Sequence, residues 1–202
     1  MHNSRYRQKL PDSRNNLIKS MRDHRIGNLD PDCNNALGDD CEELTGRLFE
    51  VKILSIEYDK YSQLPLDHSP IPEGVSLMIG EKLVDLSGKI PQTKGRRYNT
   101  DRKSWQLATE REWYKEFDVV IVYCVSKDRK YIERIYIIPK EEILEIKCIA
   151  IYKYDSKGNL YENGWYEKYR VKDEKVLEYA NKIWKKILEK RKLHSGRTRY
   201  AR

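Results

Sequence analysis

Lys89-Ile90-Pro91-Gln92-Thr93-Lys94 and, beyond an arginine-rich bend, Phe117-Asp118-Val119-Val120-Ile121-Val122-Tyr123-Cys124 are the two runs on which the fold turns. The second is the most apolar stretch of the chain. Eight residues, six of them β-branched or aromatic, predict a strand buried on both faces. The first is a shorter extended segment ending in Gln92-Thr93-Lys94, and Trp105-Gln106-Leu107 is a further extended piece between the two. A polar Gln and Lys at the end of a strand, beside a basic bend and a buried strand, are placed for chemistry on an anionic group.

Upstream of these runs, residues 38–49 carry acidic side chains first and then Leu44, Leu48 and Phe49. That is the spacing of one helical face, with carboxylates at the N-terminus where the helix dipole favours them. Residues 51–58 alternate as a strand, and residues 59–74 form a long irregular connection holding Pro65, Asp67, His68, Pro70 and Pro72. Residues 75–79 and 82–86 are two arms of a hairpin around Gly80.

Downstream, residues 126–130 form a polar turn and residues 131–138 a return strand stopped by Pro139. A helical turn at 140–144, a strand at 146–154 and a short strand at 165–169 follow. A long helix over 173–191 repeats Val176, Tyr179, Ala180, Ile183, Trp184 and Ile187 at threes and fours. The order predicts an α/β, or α+β, mixed central sheet with helices outside it. Residues 1–37 read as a basic arm with a short helix at 13–24, residues 38–192 as the core domain, and residues 193–202 as a basic tail.

The 202 residues suit one domain with a sizeable core. With 40 Lys and Arg against 32 Asp and Glu, the net charge is +8, which points to a polyanionic partner, nucleic acid before anionic membrane. No run of 18 apolar residues predicts a membrane span, and the polar N-terminus has no secretory pattern. Four scattered cysteines without a C-x-x-C pair fit a reducing compartment, cytoplasmic or organellar. Cys124 and Cys148 read as buried thiols. The spacing of Cys33 and Cys41 with His24 matches no usual zinc pattern.

Glu42 or Glu43 on a helix, Pro65-Leu66-Asp67, Gln92-Thr93-Lys94 and the apolar strand after them together resemble the PD-(D/E)xK nuclease superfamily, over roughly residues 38–145. That resemblance implies a restriction-endonuclease-like fold and a metal-dependent DNA endonuclease, of restriction or homing type. It implies a Mg²⁺ (or Mn²⁺) ion, with Asp67 as charged ligand, Gln92 as neutral ligand and Glu43 as a further carboxylate. Lys94 would orient or deprotonate the attacking water. Such chemistry needs a hard cation with oxygen ligands to neutralise charge on the phosphodiester. Gln in place of the usual acid leaves the site one negative charge poorer. Double-stranded DNA is the implied partner and a homodimer the implied assembly. Lys89, Arg96, Arg97, Arg102 and Lys103, with Tyr98 and Trp105 interleaved, are the candidate DNA-binding residues.

Other readings stay open at this level. Glu50-Val51-Lys52 is a literal E-x-K and gives a rival set of Asp40, Glu50 and Lys52; another rival keeps Gln92 and Lys94 with Asp85. His68 would be a general base or a loop histidine bonded to its neighbours. A non-catalytic nucleic-acid-binding module and a junction or repair nuclease are the alternative functions.

Overall fold

The computed structural model describes residues 34–52, 68–109 and 116–197, with side chains described over 36–192 of these. The centre is a three-stranded sheet in the order β3-β5-β6. β3 (Pro91–Arg97) runs parallel to β5 (Val119–Val125), with Gln92 opposite Val120 and Lys94 opposite Val122. β6 (Ile132–Pro139) pairs antiparallel on the other side of β5 through the 126–130 turn.

Every residue of β5 is buried, as its unbroken apolar run predicts. Burying each Val or Ile contributes roughly 1.5–3 kcal/mol, so the middle strand anchors both faces of the sheet. One face carries Ile121, Tyr123, Val125, Ile135 and Ile137; the other carries Val120, Val122, Cys124, Tyr136 and Ile138.

The first face is covered by two helices. α1 (Asn34–Leu48) buries Ala36, Leu37, Asp40, Cys41, Leu44 and Thr45, spaced at threes and fours. It starts a turn before the 38–49 helix expected from sequence, because Ala36 and Leu37 are buried ahead of Gly38. The helix therefore spans the 37/38 boundary drawn from composition. α2 (Glu174–Arg197) buries Ala180, Ile183, Trp184 and Ile187. Asp173 Oδ1 accepts the Lys175 N–H at 2.9 Å, satisfying a donor of the first turn. Asn181 clamps α2 to β6, accepting from Ile132 N at 2.8 Å and donating to Ile132 O at 3.0 Å.

The second face is covered by β4 (Ser104–Ala108) and β7 (Cys148–Tyr152), an antiparallel pair that buries Trp105, Leu107, Ile149 and Ile151. β1 (Ser76–Ile79) and β2 (Lys82–Asp85) form the expected hairpin around Gly80, whose φ is +59°. A side chain there would also press on Lys168 O at 2.5 Å.

Three expectations are corrected. Trp165–Tyr169 is a 3₁₀ turn closed by Glu167 N on Gly164 O, and Tyr166 alone in it is buried. Cys148 is exposed, because Ile149 and Ile151 take the inward phase of β7 and turn the cysteine out. Trp105 belongs to the core, fully buried with its indole N–H on Val125 O at 2.8 Å. The helix expected at 13–24 and most of the strand expected at 51–58 lie outside the described residues, as do His24 and Cys33.

Candidate functional site

β3 is the strand to build from. Successive side chains of a strand point to opposite faces, so Gln92, Lys94 and Arg96 share one side while Thr93, Gly95 and Arg97 share the other. The Thr93 side meets α1. Thr93 Oγ1 donates to Thr45 Oγ1 at 2.8 Å, Thr45 Oγ1 meets the Tyr123 hydroxyl at 2.9 Å, and His68 Nε2 meets Thr93 Oγ1 at 2.8 Å. Gly95 lies directly beneath Cys41 of α1. Burial holds the Tyr123 phenol and the Cys41 thiol well above their ordinary ranges, so both stay neutral.

Gln92 and Lys94 lie on the side of the sheet away from α1. Gln92 is 2% exposed and Lys94 is half-buried. Glu43 lies on α1, which covers the opposite side; there it accepts from Arg47 at 2.5 Å and from Lys190 at 3.4 Å. Asp67 lies outside the described residues. Its neighbour His68 is fully buried in the Thr45–Thr93 cluster, which is the arrangement of a histidine bonded to its neighbours. Among the described residues no three His, Cys, Asp or Glu side chains gather as a metal-binding group. The Gln92 side chain carries an amide oxygen, a neutral donor of the kind hard cations accept, and Asp118 near the start of the paired strand accepts the Ile90 N–H at 2.7 Å.

The rivals have structural duties. Asp40 is buried on α1 against Arg191, whose guanidinium also donates to Ala36 O at 2.9 Å. Burial raises the Asp40 carboxyl to about 6, while Arg191 pulls it down. Glu50 follows the helix at φ +56°, and Lys52 donates its backbone N–H to Ser69 Oγ at 2.8 Å. Asp85 accepts from Ser87 N at 2.9 Å and Ser87 Oγ at 2.6 Å, bonds that lower its pKa and close a turn.

Beyond Lys94, β3 runs into a cleft of about 570 Å³ lined by Leu37, Arg96, Arg97, Tyr98, Asn99 and Gln106 among others, with no carboxylate among its described lining residues. Arg97 Nε donates to Lys127 O at 2.5 Å, which fixes the guanidinium; among the described residues its two outer nitrogens make no hydrogen bond, and they are donors of the kind an anion takes. Arg102 reaches the cleft through Gln106, whose Oε1 accepts from its Nη1. Lys103 sits on the adjoining turn at φ +50°. Lys89 precedes the other end of β3, about 25 Å from Arg97 by strand rise, and takes no part in the cleft. Gln106, which the sequence reading passed over, is the cleft residue with a visible signal: it is four positions from Arg102 across a tight bend.

No family model matches the chain, and no curated protein matches its sequence. Among solved structures it is similar to a bacterial homing endonuclease, I-Ssp6803I. The likeness covers 73% of this chain and 94% of that one, at 14% identity and a TM-score of 0.42. A likeness of that size says nothing about which residues act.

Proposed function

We propose that the chain is a metal-dependent DNA endonuclease in which Asp67, Gln92 and Lys94 surround the scissile phosphodiester. The observation that carries this reading is the course of β3. Gln92 and Lys94 project from one face, and the same strand delivers Arg96 and Arg97 to a cleft with no carboxylate among its described lining residues. A phosphate held at Lys94 would thus continue into a groove of fixed positive charge, the arrangement a polyanion backbone requires.

In this reading Asp67 and Gln92 hold a Mg²⁺ or Mn²⁺ ion, which supplies charge neutralisation on the phosphate when bound. Lys94 donates to a non-bridging phosphate oxygen or to the attacking water, and its half-buried position strengthens that contact relative to bulk water. Arg96 and Arg97 hold the adjoining phosphates. Glu43, engaged with Arg47 and Lys190 on the helix side, takes a structural part. The chain acts as a homodimer on a two-fold-symmetric duplex site.

The test is cleavage of supercoiled plasmid with Mg²⁺ or Mn²⁺ and with a chelator. Lys94→Ala and Asp67→Ala should each lower the rate at least a hundredfold while duplex binding changes by no more than severalfold. Retarded duplex without cleavage under any divalent ion would instead make the chain a binding module. Nicking confined to branched DNA would make it a junction nuclease.

A further inference from the structure

The bend between β3 and β4 is a clasped two-stranded ribbon. Asn99 N donates to Ser104 O at 3.0 Å and Ser104 N to Asn99 O at 3.2 Å. The Asn99 side-chain oxygen accepts from Asp101 N at 2.9 Å and Arg102 N at 3.0 Å, so the tip is braced from within. Arg102 stands at the tip of this ribbon and Gln106 on β4 just past the clasp, where it lies opposite Ala150 of β7, and the two side chains meet each other.

An arginine has only donors. The Gln106 group facing Arg102 must therefore be its oxygen, and its NH₂ is turned the other way. Among the described residues Gln106 makes no other side-chain hydrogen bond. The pair has spent its acceptor internally. What it offers outward is a set of donors: the Gln106 amide hydrogens and the remaining guanidinium N–H groups of Arg102.

We propose that Arg102 and Gln106 form a base-reading unit that selects guanine in the major groove. This rests on the endonuclease reading above and names part of what the site recognises. A two-stranded ribbon fits the major groove, roughly 12 Å wide. There guanine presents two acceptors side by side, N7 and O6, whereas cytosine presents an amino donor and adenine one of each. A surface of donors alone matches guanine and leaves a donor facing a donor at cytosine. The neighbouring Arg96 and Arg97 add positive charge, and the described lining of the cleft holds no carboxylate that would accept from cytosine. They position the backbone, and Arg102 with Gln106 sets the choice of base.

The test is enrichment of a randomised duplex pool by gel retardation without divalent metal, so that binding is read apart from cleavage. The wild-type protein should enrich guanine at one position or more. Gln106→Ala should reduce the discrimination there, an effect on the order of tenfold to a hundredfold for a lost two-donor contact. Gln106→Glu puts an outward oxygen in place of the amide donors, its other oxygen still accepting from Arg102. That variant should move the preference at the same position from guanine to cytosine.

Two results overturn the inference alone: loss of affinity spread evenly over all sequences, as for a phosphate contact, or base preferences unchanged in both variants. Gln106 is half-buried, so thermal melts of both variants accompany the selection. A lowered melting point with unchanged preferences again counts against the pair as a reader. If the wild-type protein retains no duplex at all, the endonuclease reading falls and takes this inference with it.

Discussion

Gly95 is the point of closest approach between β3 and α1, and a methyl group added there tests how the site strand is seated. Its Cβ would overlap Cys41 Sγ and come within 3.2 Å of both Cys41 Cβ and the Leu37 carbonyl oxygen. The Cys41 side chain is fully buried, so the helix has to shift or the strand has to bend. Overpacking of this kind costs about 1–3 kcal/mol. Cys41→Ala alone removes one buried heavy atom, worth about 1 kcal/mol. Combined, the new methyl takes the place of the lost sulfur, and only the Leu37 contact stays tight. The double variant should therefore be more stable than the sum of the single losses by about 1–2 kcal/mol. Urea unfolding followed by far-ultraviolet circular dichroism and by fluorescence of the buried Trp105 and Trp184 measures all three variants. With an m-value of about 2 kcal/mol/M, a cost of 2 kcal/mol moves the midpoint by about 1 M. Costs that add to within about 0.5 kcal/mol, or a Gly95→Ala variant as stable as the wild type, would refute the seating of α1 on this side of β3.

Three other outcomes follow from charges at known positions. Asp40 keeps its proton to about pH 6 in the folded chain but loses it near 3.8 when unfolded, so its stabilising contribution is complete below 3.8 and lost as pH rises through 6. Stability of the wild type relative to Asp40→Asn should fall by about 1–3 kcal/mol over that window, and a difference that stays constant with pH would reject it. Glu167→Ala leaves the buried Arg134 guanidinium without the carboxylate at 3.2 Å and strips the Tyr136 hydroxyl of its 2.6 Å acceptor; denaturant titration should show a loss of about 3–5 kcal/mol. Arg97→Ala should weaken duplex binding alike for all sequences and reduce the slope of log affinity against log salt by about 1, and an unchanged slope would remove Arg97 from the backbone contacts.

Much of the architecture was open to reading because single residue types carried it. The Val119–Val125 run left no polar phase, so burial on both faces followed, and Gly80 marked the hairpin. The threes and fours from Val176 to Ile187 marked α2. The parallel pairing of β3 with β5 was not legible, since it joins residues about 28 apart through contacts that no local pattern records. That pairing fixes which side Gln92 and Lys94 occupy, and so places them across the sheet from Glu43. Trp105 misled because tryptophan has both an apolar body and a polar tip; Val125 O, distant in sequence, satisfies the tip. The 3₁₀ turn at Trp165–Tyr169 escaped because five aromatic-rich residues fit a strand equally well.

Thr45, Thr93, Tyr123 and His68 have no place in the proposed chemistry, yet they index it. Thr93 has one proton to give and gives it to Thr45, so His68 must supply the proton between its Nε2 and Thr93; the cluster has a direction, like a ratchet tooth. A slip of β3 by one position would turn Thr93 away, strand those buried hydroxyls and drive Lys94 under α1. Four buried side chains on the hidden side of the sheet thereby decide which way the lysine looks.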